Sequence, residues 1–599
     1  MAELPTEKIT LKSRLQVQSE AATSDAPDPD IQPGSTAATA AALDAIHLAP
    51  GYYTSFRFLG SALAVGLGFG CGVGGYSLIA PILSYIDADI GPDANIVWVS
   101  LVYTLTSAIG LLLFGRLSDL FGRRWFFVGG SALALVGSIV CATANSIPML
   151  IGGETLLGFA SASQLSYGFT LGELLPIKYR FLGVSYCYLF VIPFSALGPG
   201  VAYALILHTA AGWRWCYYLL IITNTICTLC WYFCYYPPTF QAKNGDQTFW
   251  HKLAQLDYLG LLLYTGGLLL FLMGLSWGGS VHPWRSAYVI CTMVIGLLML
   301  VGFVLWEAWA TLQEPMLPLH LFKQRGFASA VLMVSIGASV YYAFAILWPN
   351  MVNILYSEGE TTMWIGWASC TTNAGFTLGE ICGGVLAKVF KKVKYQLICA
   401  TVSSAALLAA VASCTPHTKD RAIGLIFVGT LLVGWYESIS FTLTTVLVDD
   451  QTEVGTAAGL GGSARSGIST VCSVIYTVVL SNRLASTVPA QVVPAVTAAG
   501  LPASSVASFL TALTAGTPDA YAKIPGITNA ILAAGQQAYK TANADAYRTV
   551  SLTTLAFGGL AIIASLFMGE VESRMTGEVT AKLHLRKEKE ATSAETAAV

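Results

Sequence analysis

Charge is what this chain has least of. Of its 599 residues only 11% are Asp, Glu, Lys or Arg, where a soluble domain carries roughly 25%, and that deficit excludes an ordinary soluble enzyme. The 31 Lys and Arg nearly cancel the 33 Asp and Glu, leaving a net charge of −2. No basic surplus exists to neutralise a nucleic-acid backbone, and no acidic tail is present. The seven His are scattered, and no nucleophile stands beside a base, so enzymatic chemistry is not expected. The 13 Cys give no disulfide framework, because Cys71, Cys141, Cys187, Cys291 and Cys472 among them sit inside apolar stretches. Cys227, Cys230 and Cys234 share a helical spacing but lack a flanking His or carboxylate; they read as small packing residues, not metal ligands. No metal or cofactor is implied.

What the chain does have is apolar length, 55% of its residues being hydrophobic. No charge falls between Arg57 and Asp87, Arg124 and Glu154, Arg285 and Glu307, or Arg325 and Glu358. Each such window holds the ~20 residues of one membrane-spanning helix. With the shorter apolar runs ending near Tyr167, Ala387, Leu447 and Leu480, the windows predict fourteen spans. An all-α membrane protein follows, since lipid offers backbone amides no partner outside a helix or a closed barrel. Residues 1–56 are polar and carry neither a secretory signal nor an acid-poor transit peptide, so they read as a disordered cytosolic tail. Placing both termini in the cytosol puts most Lys and Arg on that side and leaves Arg214, Arg285, Lys419, Arg421, Arg483, Lys523, Lys540 and Arg548 opposite, as the positive-inside rule requires. Arg465, near a helix start, is assigned to neither side. The plasma membrane is the default location, with the bilayer as partner and a monomer as the simplest state.

An internal repeat organises the chain. The loop after the second span reads Gly115-Arg-Leu-Ser-Asp119-Leu-Phe-Gly122-Arg123-Arg124, and the loop after the tenth reads Gly384-Val-Leu-Ala-Lys388-Val-Phe-Lys391-Lys392. Gly, Leu, Phe and a basic cluster recur in register, as in secondary transporters built from duplicated halves. The predicted divisions are a six-helix bundle at 57–237, a cytosolic linker at 238–257, two inserted helices at 258–309, a cytosolic loop at 310–326, a second six-helix bundle at 327–569, and a charged tail at 570–599. Within the second bundle an extracellular loop, 482–547, alternates Ala-rich stretches with Pro and Gly. Short surface helices are expected there, not a folded domain.

The Gly115 to Arg124 spacing places a carboxylate and two guanidinium groups in a tight turn at the membrane face. There Asp119 either pairs with its basic neighbours or caps a helix N-terminus. Gly115, Asp119, Gly122, Arg123, Arg124, Gly384 and Lys388 are the candidate conformational gate, a plain anchor obeying the orientation rule being the alternative that the repeat at Gly384 disfavours. Intramembrane carboxylates matter more, because an unpaired charge mid-helix costs about 2.5 to 3.5 kcal/mol even on the lenient insertion scale. Three stand out as proton-coupling candidates, Glu154, Glu437 and Glu380, each otherwise a hydrogen-bonded structural group.

The Gly115 motif resembles the signature loop of the major facilitator superfamily. Trp213-Arg214-Trp215, Leu256-Asp257-Tyr258-Leu-Gly260 and Leu317-Pro318-Leu-His-Leu-Phe322 resemble its fourteen-span drug:proton antiporter branch. Within that branch, Leu171-Gly172-Glu173-Leu-Leu-Pro176-Ile-Lys178-Tyr-Arg180 and the stretch from Asn95 to Gly130 are most similar to fungal trichothecene efflux pumps, with siderophore transporters as near relatives. The branch's helix 5 antiporter motif is present as Gly198-Pro199, but Phe194 and Ala202 stand where the pattern has glycines. Glycines 66, 70 and 74 of the first span read as helix-packing positions. The resemblance implies a cavity lined by the first and fourth helices of each half, with Glu154 and Glu437 facing it from opposite halves. Gly158 stands where the branch carries an arginine. Gln164, Tyr341, Tyr342 and Trp435 are the candidate substrate contacts. The function implied is proton-coupled efflux of small amphipathic natural products by alternating access. A ferric-siderophore importer of the same fold and a transport-dead membrane sensor are the alternatives.

Overall fold

The computed structural model describes residues 52–571 except 94, 97, 176–178, 238–248, 280–281, 311–319, 449–453, 516–520, 522–523 and 570. Residues 1–51, 572–599 and most of the linker at 238–257 and of the loop at 310–326 lie outside the described residues.

The long helices are α1 (Phe56–Ser77), α2 (Trp98–Phe121), α3 (Arg123–Ala142), α4 (Ile147–Gln164), α5 (Arg180–Val191), α6 (Arg214–Cys234), α7 (Tyr258–Trp277), α8 (Ala287–Trp309), α9 (Arg325–Met351), α10 (Thr362–Phe390), α11 (Val393–Ala410), α12 (Lys419–Val446), α13 (Val454–Ala498) and α14 (Asn529–Leu566). Eleven are long and apolar enough to cross a bilayer, counting α1 together with the short helices after it, and α5 with its continuation Gly198–His208 makes a bent twelfth. The remaining two, α4 and α10, fall short because they carry Glu154, Ser161, Ser163 and Gln164, and Thr371, Thr372, Asn373, Thr377 and Glu380, all buried. The apolar surface is turned outward instead. α8 exposes Ile290, Val294, Leu298 and Val301, a surface suited to lipid and not to water. Many buried hydroxyls bond a carbonyl of their own helix, as in Ser335 Oγ to Val331 O at 2.7 Å and Ser440 Oγ to Tyr436 O at 2.7 Å, and so need no partner from outside.

The packing repeats with a period of eight helices. α1 lies on α5 and α6, α2 on α4, and α3 on α4 and α6; correspondingly α9 lies on α13 and α14, α10 on α12, and α11 on α12 and α14. The two sets meet through α2 against α13 and α5 against α10, the same pair exchanged. α7 and α8 pack on each other, and Asp257 joins them by accepting from Gly260 N at 2.9 Å, as the α7 N-cap, and from Trp306 Nε1 at 3.0 Å. Tyr264 of α7 bonds Ser463 of α13 and donates to Ala108 O of α2 at 3.4 Å, placing the pair at the α2–α13 seam.

Two features depart from the sequence reading. The segment expected to form short surface helices is built on helices that do not stop. α13 runs 45 residues and α14 runs 38, about 67 and 57 Å at 1.5 Å per residue, well beyond a ~30 Å hydrocarbon core. Their outer ends close over Val492, Val496, Leu501, Phe509, Leu513 and Ile531, a separate apolar core. Ala and Val at helical spacing continue through Pro489 and Pro494, which the helix absorbs. The second departure is in α5, where a π-helical turn at Ile192–Ala196 precedes a 42° bend into Gly198–His208. Pro193 and Pro199 remove two amide donors there. The bulky Phe194 fits because α1 offers only glycine opposite it: a Cβ on Gly74 would stand 2.9 Å from Phe194 Cδ1, and one on Gly70 would stand 3.0 Å from Cδ2.

Candidate functional site

The Gly115 motif forms a junction between the two helix sets. Asp119, at the end of α2, accepts from Arg123 Nη2 at 2.5 Å through Oδ1, and from Thr456 N at 2.6 Å and Thr456 Oγ1 at 2.9 Å through Oδ2. Thr456 lies in the first turn of α13, so the carboxylate satisfies an orphan amide and faces the positive end of the helix dipole. Close approach makes this reach possible, since a Cβ on Gly115 would stand 2.8 Å from Gly455 O and 3.0 Å from Gly459 Cα. Gly122 turns the chain from α2 into α3 at φ +92°, where a side chain is strained. Arg124 points away from Asp119, donating to Tyr232 O at 2.9 Å.

The repeat builds the related junction with other chemistry. At Gly384 of α10 a Cβ would meet Phe181 O of α5 at 2.6 Å. Lys388 stands four residues on, as Asp119 does after Gly115, but its Nζ lies 4.4 Å from the Tyr179 ring centroid. A cation cannot cap a helix N-terminus, so it takes the aromatic face instead. The neighbouring Arg180 crosses to the other set and donates from Nη1 to Thr445 O at 2.8 Å.

Residues of both helix sets also line a common cavity. Its walls are aromatic: Tyr167 stacks on Phe441 with centroids 5.0 Å apart, and Tyr341 stacks on Phe376 at 4.4 Å. The Tyr341 hydroxyl bridges Ser77 Oγ at 2.9 Å and Ser195 Oγ at 2.8 Å, joining α1, the bend of α5 and α9. Among the described residues, Arg465 of α13 is the single charged one on this wall. Its Nε donates to Glu437 Oε1 at 2.6 Å, and its guanidinium lies 5.7 Å from the Tyr342 ring centroid. The terminal amino groups of Arg465 make no hydrogen bond among the described residues.

The candidate residues therefore separate. Tyr341 and Tyr342 line the cavity, whereas Gln164 donates to Asn224 Oδ1 at 2.6 Å and Trp435 Nε1 donates to Gln396 Oε1 at 3.3 Å, neither being on the cavity wall. The expectation that Glu154 and Glu437 face the cavity from opposite halves is corrected. Glu154 is turned to α6, accepting from Tyr217 Oη at 2.7 Å, and Glu437 stands one residue behind the wall, screened by Arg465. Each of these two carboxylates has a donor there, which lowers the cost of its burial. At Gly158 a Cβ would stand 2.6 Å from Tyr103 O, so α2 leaves no room for an arginine there. Glu380 is fully buried, with Glu437, Tyr188 and Arg465 among its polar and charged neighbours. The two carboxylates come together because α10 and α12 almost touch: a Cβ on Gly383 would meet Trp435 O at 2.6 Å, and Glu380 N lies 3.0 Å from the Cβ position of Gly434. Arg465 is the residue that sequence reasoning missed. Its signal was a lone cation inside the small, uncharged stretch from Val454 to Ser481, where burial demands a counterion.

Two helix sets crossing around a partly polar cavity, with apolar residues facing outward, define a membrane transporter. The chain belongs to the fungal trichothecene efflux pump (TRI12) family, whose model matches residues 21–597, within the major facilitator superfamily. It is 30% identical over 566 residues to the trichothecene efflux pump TRI12 of Trichoderma arundinaceum and 31% identical over 557 residues to that of Fusarium sporotrichioides, covering in each case 92% of both chains. It is 28% identical to the MFS-type transporter prx5 of Penicillium rubens over 87% of this chain and 92% of that one.

Proposed function

We propose that this protein exports small amphipathic natural products, of the fungal toxin or secondary-metabolite class, in exchange for protons. In this reading α4 and α10 complete fourteen spans, residues 57–237 and 327–569 are the rocking halves, and 258–309 is the insertion. Both termini lie in the cytosol of a plasma-membrane protein, and Asp119 and Lys388 mark the cytosolic gate. The observation that carries the reading is the Arg465–Glu437 pair, which places an ionisable group one side chain behind an aromatic cavity wall. While Glu437 is ionised it holds the guanidinium by Nε, which leaves the terminal amino groups as donors for a substrate oxygen. A proton arriving on Glu437 removes that hold, so proton and substrate favour opposite states of one side chain. Substrate and proton then exclude each other, which antiport requires. Glu380 is the second carboxyl beside a single cation, so the trio is electroneutral with one proton aboard.

The driving force is adequate. A 100 mV potential supplies about 2.3 kcal/mol per charge and one pH unit about 1.4 kcal/mol, together supporting roughly a 500-fold substrate gradient. The test is a deletion strain challenged with its own secondary metabolites, with intracellular accumulation measured with and without a protonophore. Export predicts raised accumulation on deletion and the same rise on collapsing the gradient. Unchanged accumulation together with lost growth on chelated iron would replace this reading with siderophore import.

A further inference from the structure

The Asp119 end of the molecule carries an amphipathic feature that the transport cycle does not use. Arg57, at the start of α1, and Arg124, at the start of α3, both lie over the ring of Tyr236, at 4.8 and 3.8 Å from its centroid. Two guanidinium groups are thus held against one ring at the edge of the apolar belt. Arg124 Nε is buried and donates to nothing among the described residues. The Arg124 guanidinium also lies 5.5 Å from the Trp125 ring centroid, and Trp125 is 66% exposed. From Trp125 an open groove runs along α3 and α4, bounded by Phe126, Gly129, Leu133 and Phe159, with Ser163 as its one side-chain hydroxyl. A Cβ on Gly129 would meet nothing within 4 Å, so the groove is open at that position.

We infer that this is a binding site for one anionic phospholipid, its phosphate beside Arg57 and Arg124 and an acyl chain in the groove. Cation, then interfacial aromatic, then apolar groove is the order of chemistry along a phospholipid from headgroup to tail. The start of α3 adds the positive end of a helix dipole beside the phosphate. A soluble anion would use the arginines and leave the groove empty; a neutral lipid would fill the groove and ignore the arginines. Of the available occupants, only an anionic lipid uses both.

The experiment is native mass spectrometry of the full chain in detergent, titrated with dioleoyl-phosphatidylserine, dioleoyl-phosphatidylcholine or inorganic phosphate. With each basic side chain near a membrane surface favouring an anionic lipid by about fivefold, retention of phosphatidylserine over phosphatidylcholine is expected at roughly 30-fold. Arg57→Gln with Arg124→Gln should abolish the preference. Gly129→Leu, which fills the groove without touching either arginine and has room to fold, should weaken retention of both lipids. Equal retention of the two lipids by the unaltered chain would overturn the proposal, as would undiminished retention by Gly129→Leu. Displacement of phosphatidylserine by inorganic phosphate alone would reduce the site to an anion site and overturn it as well.

Discussion

Asp119 and Thr456 stand 337 residues apart in sequence and share two hydrogen bonds on one carboxylate oxygen, from Thr456 N at 2.6 Å and Thr456 Oγ1 at 2.9 Å. The other oxygen serves Arg123. One side chain thus links α2 to α13 across the junction of the two helix sets, and in the proposed alternating-access cycle it does so while that end is closed.

Asp119→Asn leaves one acceptor oxygen where two are used and removes the charge at the helix terminus. A hydrogen bond to a charged group contributes about 1.5 to 3 kcal/mol, so the closed state should lose tenfold or more in population. The expected outcome is normal abundance in the membrane with efflux reduced about tenfold, read as rate per molecule. Thr456→Val keeps the amide and should cost less. Normal efflux by a normally abundant Asp119→Asn protein would leave the motif as an anchor.

Glu437→Gln keeps an oxygen for Arg465 Nε but cannot exchange a proton. Substrate binding and substrate–substrate exchange should persist, while accumulation against a gradient disappears together with its dependence on external pH. Glu154→Gln serves as the comparison, because its hydrogen bond to Tyr217 lies away from the cavity; it should remain proton-driven. Coupled transport by Glu437→Gln and uncoupled transport by Glu154→Gln would transfer the proton role to α4.

Arg465 separates charge from geometry. Arg465→Lys keeps the cation for Glu437 but offers a single ammonium in place of a fork, so KM should rise about tenfold, as loss of one good hydrogen bond would give. Arg465→Gln leaves two buried carboxylates without a cation, a change that costs about 3 to 5 kcal/mol. Its abundance and melting temperature should fall. An unchanged KM in the lysine variant would place substrate elsewhere in the cavity.

Phe194→Ala opens a void against Gly70 and Gly74, and such truncations cost about 3 to 5 kcal/mol in a packed core. Gly74→Ala alone should destabilise through overpacking, because its Cβ would approach Phe194 Cδ1 at 2.9 Å. Combining the two should recover part of the loss, measured as a coupling in thermal unfolding of the purified protein. Additive losses would show that α1 and α5 do not share this contact.

Much of the fold is legible in one dimension because the bilayer simplifies the code. Charge-free windows marked most of the long helices, and the Gly115 and Gly384 loops announced the duplication that the packing repeats eight helices later. The two polar helices, α4 and α10, were visible only as shorter runs, since their hydroxyls, amides and carboxylates turn inward. α13 and α14 continue past the hydrocarbon width because alanine-rich sequence remains helical in water when a second helix covers its apolar side, and nothing local marks where that cover begins.

The sequence by itself determined that the chain lives in lipid, that it is duplicated, and which carboxylates are too costly to leave unpaired, because hydropathy and charge act on each residue alone. Pairing was decided by tertiary structure. Asp119 with Thr456, Glu437 with Arg465, Glu154 with Tyr217 and Phe194 with the α1 glycines each join residues at least 28 positions apart. Which side chain meets which depends on how closely two helices cross, and that is fixed where glycines on one helix admit the backbone or side chains of another.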